Sequence, residues 1–317
     1  VKAGGLITSV VDLRLTRAMT NGREITSVIT VGPSGMFATL KEAVDFANEV
    51  MAPSVGNAQR RLEIHVVGDT TETATSVISA KKLIVRWRPG SACSYSTNID
   101  GIHLNACDDL VLDGPTFTFT GNADDAAALS RIVIDTLAAS LRVKVRGLRV
   151  NRTGTSAWHG GIRATAALDL NDCVFEDILI EGASDFGVAI ADGLRHTWRD
   201  VRCTHVDPNA GSFQNTAGNG FHLDSTASGL ANGIRCVDWA GDGIKFSASA
   251  AMRLSALEVD QGDGHGLTLD ALLNTVISDV LIRELGVDAK RGINIVNGSG
   301  YLSIDGIHVL ICDAREH

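Results

Sequence analysis

Aromatic side chains are scarce in this sequence, at 5% of 317 residues, and there are only 5 prolines. A core with so few rings must be filled mainly by small aliphatic side chains, and 33 glycines point to many tight turns. No run approaches the roughly 20 apolar residues that span a bilayer. The apolar stretch Leu6–Val11 is soon broken by Asp12 and Arg14, so the start does not read as a signal peptide. Basic residues are outnumbered, 28 Lys and Arg against 37 Asp and Glu. The resulting formal charge of −9 argues against a nucleic-acid partner, which needs clustered cations for its phosphates. A neutral or sugar-like partner stays open. Cys93, Cys107, Cys173, Cys203, Cys236 and Cys312 form no CxxC and no metal-ligand spacing, so they read as free, buried thiols. The sequence assigns no metal and no cofactor.

What is present is a repeat. Glycine, an apolar residue, a polar one and another apolar one recur at Gly161-Ile-Arg-Ala, Gly187-Val-Ala-Ile, Gly220-Phe-His-Leu, Gly243-Ile-Lys-Phe, Gly266-Leu-Thr-Leu and Gly292-Ile-Asn-Ile. Gly101-Ile-His-Leu is an earlier member. A second pattern runs in phase with it: apolar, any, Gly/Asp/Ala, apolar, any, apolar. Its pivots are Gly147, Asp177, Asp200, Gly233, Ala256, Asp279 and Gly306. Each pattern alternates and so reads as a short strand with one buried face.

A unit of 23 residues or slightly more, holding two such strands, leaves little room for a helix, and a propeller blade needs about 40 residues. The leucine-rich spacing with its Asn is missing. The expected fold is therefore all-β: a right-handed, single-stranded parallel β-helix, each strand stacking on its counterpart one coil away. Wider steps mark loops outside the coil, such as Asp207–Gly218. Cys203 and Cys236 should share one interior column, as stacked thiols or as a disulfide.

Residues 1–28 read as a leader or attachment segment, and residues 29–317 as the solenoid. Near its start, Thr39 with Glu42 forms a capping box, and Leu40, Val44, Ala47 and Met51 share a face. One amphipathic helix there is the expected cap over the first coil, whose open edge needs cover.

The stretch Ile29-Thr-Val-Gly-Pro-Ser-Gly-Met-Phe-Ala-Thr-Leu-Lys-Glu-Ala-Val, followed by coils, resembles the opening of the pectin-lyase-like superfamily. Phage tailspikes, pectate lyases, polygalacturonases and pectin methylesterases belong to it. The resemblance spans roughly residues 28–312 and implies architecture more than chemistry. The leader containing Gly4-Gly-Leu-Ile-Thr-Ser-Val-Val-Asp-Leu-Arg looks like joining segments of phage tail fibres and spikes. Locally, Gly264-His265-Gly266 is similar to a polygalacturonase strand entry. Gly241-Asp242-Gly243 falls where that family has paired Asp, and Gly218-Asn219-Gly220 where it has Asn-Thr-Asp-Gly. Two of the implied acids are thus absent. Inverting hydrolysis needs an acid and a base carboxylate about 6.5–9.5 Å apart, which Asp242 alone does not supply.

Spacing places the same residues in one file, since Asn219, Asp242, His265 and Arg291 each precede a motif glycine. The catalytic candidates are Asp242, His265 and the nearby Asp263. The substrate-binding candidates are Asn219, Arg291, Lys245, Trp239 as a face for a sugar ring, and Trp158 in a loop. The plain alternative is that Asn, Asp and His fill this slot because they tolerate left-handed turns. A calcium-dependent lyase would need a carboxylate cluster and a base; Asp124-Asp125 and Asp108-Asp109 supply acid pairs, without a recognisable catalytic Arg.

The leading expectation is a phage virion protein of tailspike type, assembled in the host cytoplasm, that binds host-surface polysaccharide. Cleavage of that glycan, by hydrolysis or by a lyase reaction, stays open. The expected partners are other virion proteins and two sister subunits in a homotrimer, with no nucleic acid and no membrane. A non-enzymatic decoration spike and a secreted lyase or glycoside hydrolase are the alternatives.

Overall fold

The computed structural model describes residues 25–51, 60–95, 99–120, 131–153, 159–165, 170–183, 186–205, 219–239, 241–262, 264–285, 291–297 and 300–310. Its strands wind as a right-handed parallel β-helix. Three parallel sheets of 15, 9 and 4 strands run along it. The nine-stranded sheet carries the glycine motif in most of its strands: Ser76–Ile78, Ile102–Asn105, Arg131–Ala138, His159–Ala164, Val188–Ile190, Phe221–Asp224, Ile244–Ser247, Leu267–Asp270 and Ile293–Val296 stack in that order. The long sheet carries the second motif, in strands such as Thr197–His205, Leu230–Trp239 and Arg253–Gly262.

The pivots of the second motif have a physical role. Gly147, Asp177, Asp200, Gly233, Ala256, Asp279 and Gly306 all hold φ between +51 and +69°. Each bends its strand, so the motif is two short extended pieces meeting at a left-handed corner rather than one alternating strand. Gly, Asp and Ala recur there because small or locally bonding side chains best tolerate that conformation.

The motif glycines answer to a different demand. Those at 161, 187, 220, 243, 266 and 292 do not have left-handed φ. They are glycine because the last residue of the second motif packs onto their backbone across the interior. A Cβ on Gly187 would lie 2.6 Å from the Cys203 Cβ and Sγ, and one on Gly220 would lie 2.8 Å from the same atoms of Cys236. Ile180, Val259, Ile282 and Val309 meet Gly161, Gly243, Gly266 and Gly292 in the same way. The two motifs are in phase because each coil presses one against the other. Cys203 and Cys236 are register partners in this column, and both are free thiols. Burial raises the thiols of Cys93 and Cys173 to about 12 and that of Cys107 to about 11, which leaves them unreactive. Cys312 lies outside the described residues.

The expected cap is present as helix α1, Leu40–Val50. Thr39 accepts from the Glu42 N–H, the Glu42 carboxylate accepts from the Thr39 N–H, and Leu40, Ala43, Val44 and Ala47 are buried. Asn48 ties the helix to the first strand of the nine-stranded sheet, donating to the Val77 carbonyl and accepting from Ser79 and Ala80. At the opposite end the last described coil leaves Ile295, Tyr301, Val309 and Leu310 exposed. Among the described residues no helix is long and apolar enough to cross a membrane.

Candidate functional site

The file before the motif glycines exists, and its Asn and Asp side chains are wired to backbone. Asn219 Oδ1 accepts from the Asp242 N–H at 3.0 Å, and Asp242 Oδ1 accepts from the His265 N–H at 3.2 Å. Earlier in the helix, Asp100 Oδ1 accepts from the Ile132 N–H at 2.7 Å. Asn and Asp occupy this slot because they cap the neighbouring coil. The left-handed explanation fails, since Asn219, Asp242 and His265 do not have positive φ. His265 Nδ1 is buried and has no hydrogen-bond partner among the described residues, and Arg291 is exposed with Nη1 3.3 Å from Asn294 Oδ1.

This wiring yields a prediction. Asp242→Asn keeps the accepting oxygen and should change stability by less than about 0.5 kcal/mol, whereas Asp242→Ala strands the His265 N–H at a cost of about 1 kcal/mol. Urea unfolding of the two variants separates them. Equal stability would show that the ladder contributes nothing.

Lys245 lies on the outer face of the nine-stranded sheet, with His222 and Thr268 as its register neighbours and Asn294 beyond Thr268. Among the described residues no carboxylate comes within 4.0 Å of its ammonium. His222 Nε2 is 2.8 Å from Ser247 Oγ. Burial lowers the pKa of His222 and Lys245 lowers it further, against the pull of Asp224 and Asp242, so the imidazole is neutral at pH 7. Thr268 is buried and its hydroxyl has no partner among the described residues. Asp270 accepts from Asn297 Nδ2 at the edge of this face.

Trp239 does not belong to it. The residue is 1% exposed, inside the solenoid, with Nε1 donating to the Cys203 carbonyl. Asp238 before it has φ +60°, which reverses the alternation and turns Trp239 inward. Glu258 and Asp260 sit on the long sheet, where Arg235 pairs with both and Arg283 with Glu258. Asp263, Trp158, Asp124 and Asp125 lie outside the described residues.

No protein-family model matches this chain, and no curated protein matches it. Solved structures do. The enzymatically active domain of tailspike protein 2 from bacteriophage CBA120 aligns with TM-score 0.47 and 14% identity, over 76% of this chain and 39% of that one. This chain therefore spans well under half of that tailspike domain. Pectin methylesterase from Aspergillus niger aligns with TM-score 0.38 and 12% identity, over 89% and 91% of the two chains. The Streptococcus pneumoniae surface protein and adhesin PfbA aligns with TM-score 0.37 and 8% identity, over 86% and 94%.

A second group on the same face is not evident from the motifs. Asp100, His103, Asp135 and Arg163 come together on the early coils. His103 Nε2 is 2.7 Å from Asp100 Oδ2, and the Arg163 fork donates to both oxygens of Asp135, at 3.0 and 2.8 Å. Burial opposes ionisation of Asp100, but the bonds from His103 and the Ile132 N–H outweigh it and hold its carboxyl below the usual range. The strand Arg131–Ala138 has Val133 where other coils have glycine, which hides its register in the sequence. The available signal was the outward position two residues after that slot, occupied by His103, Asp135 and Arg163 in turn.

Proposed function

We propose that this chain is a polysaccharide-binding β-helix of the tailspike type, a virion protein that lays a host-surface glycan along the outer face of its nine-stranded sheet. The observation that carries this reading is the contrast between two outer faces. On the long sheet, outward charges neutralise one another coil by coil, as in Arg86–Asp113–Arg146 and Lys144–Glu176–Arg199. On the later coils of the nine-stranded sheet, neutral His222, Lys245 and, beyond the buried Thr268, Asn294 follow along the axis without such pairing. They recur along the axis at the coil spacing of about 4.8 Å, which suits an extended polyhydroxylated chain. Asp242, His265 and Arg291 flank this file, and Asp263 and Trp158 complete the proposed set. Assembly as a homotrimer with other virion proteins, and attachment through residues 1–28, belong to the same proposal.

The test is a panel of acidic and neutral bacterial polysaccharides, with binding followed by biolayer interferometry. Reducing ends and absorbance of new double bonds, read on the same samples, separate a binder from a hydrolase or a lyase. Lys245→Ala should weaken the best ligand by about tenfold, the value of one charge-assisted hydrogen bond. Lack of binding to every polysaccharide, or full affinity in the variant, would refute this face as the site. Light scattering of the purified chain checks the trimer.

A further inference from the structure

We propose that Asp100, His103 and Asp135 form a binding site for a divalent transition-metal ion of the zinc type. The imidazole and the two carboxylates each offer one ligand atom, and the three atoms lie within 4.8 Å of one another. One ring nitrogen with two carboxylate oxygens selects a borderline cation over calcium or magnesium, which favour all-oxygen shells. Three protein ligands on an outer face leave a further coordination position for water or a ligand.

The groups behind the ligands fit this role. Arg163 fixes the plane of the Asp135 carboxylate, whose side chain is only 6% exposed. The Ile132 N–H fixes Asp100 through Oδ1, which leaves Oδ2 directed at His103. Such outer contacts orient metal-binding carboxylates. A carboxylate has about four lone-pair positions, so an oxygen already accepting from Arg163 or Ile132 can still bind an ion. Charge also favours it. Arg163 balances Asp135, and the negative charge of Asp100 then attracts the cation. All three ligands come from neighbouring coils: Asp135 and His103 are register partners, and Asp100 precedes the glycine of the His103 strand. The site is independent of the glycan face proposed on the later coils.

The experiment uses the untagged 317-residue chain stripped with a chelator. Zinc chloride is titrated by calorimetry, cobalt(II) by its visible absorption, and calcium chloride in a parallel arm. The expected result is one zinc or cobalt ion per chain, with a raised melting temperature and weaker binding of calcium. His103→Ala removes a half-buried outward side chain, so the fold should persist, as circular dichroism will verify. Loss of one ligand should lower zinc affinity by at least about a hundredfold, beyond what loss of an outer contact does. The proposal is overturned by absence of stoichiometric zinc binding, by zinc affinity that survives His103→Ala, or by tighter binding of calcium than of zinc.

Discussion

Gly187→Ala is expected to destabilise the solenoid by about 3 kcal/mol or more, the upper end for overpacking a filled interior. The new methyl group would sit 2.3 Å from the Gly220 carbonyl oxygen and 2.6 Å from the Cys203 Cβ and Sγ. Neither neighbour has room to give. The Gly220 oxygen accepts from the Val188 N–H, and Cys203 is paired on both sides, with Ile180 and Cys236. Relief requires the two sheets to move apart, which would loosen neighbouring coils as well. Gly90→Ala is the informative control. Gly90 has φ +84°, but a methyl group there would meet nothing within 4 Å, so only the left-handed backbone penalty of about 1–2 kcal/mol applies. Denaturant unfolding of both variants measures the difference. If Gly187→Ala unfolds at the wild-type midpoint, close packing is not the reason for the glycine motif.

Glu72→Ala should cost about 3 kcal/mol and release the cap, since hydrogen bonds to charged groups are worth roughly 1.5–3 kcal/mol each. The side chain is fully buried beneath the start of α1. Its Oε1 accepts from the Leu40 N–H at 2.8 Å and the Thr70 hydroxyl at 2.7 Å, and Oε2 accepts from the Lys41 N–H at 3.3 Å. The first turn of a helix has free N–H groups and a positive dipole end, so a carboxylate there satisfies donors and charge together. Removing it strands a buried donor. Glu72→Gln retains one acceptor oxygen and should lose about half as much. Hydrogen exchange in α1 and the strand Ile25–Val31, alongside global unfolding, reads the effect at the cap itself. Wild-type exchange there in Glu72→Ala would show that the helix holds without it.

The capping box at Thr39 was legible because its partners are three residues apart. Glu72, which anchors the same helix end from 32 residues away, carries no local signal. Asn219, Asp242 and His265 were placed in one file by spacing alone, and the structure keeps them there. What their side chains do was not legible. An acid before a glycine looks the same in sequence whether it faces a substrate or caps the next coil. Trp239 shows the limit of alternation, because one left-handed residue at Asp238 reverses which side faces in.

Axial order was therefore determined by the sequence itself, since strand alternation and the recurrence of two motifs are properties of neighbouring residues and of their period. Lateral contact was decided only by the tertiary structure. The corners at Asp177, Asp200 and Asp279 set the bend of each coil, and the sheets close on one another across the interior. That closure pressed Cys203 against Gly187, while the register between coils joined Asp135 to His103 and Arg163, whose spacing along the chain varies from coil to coil.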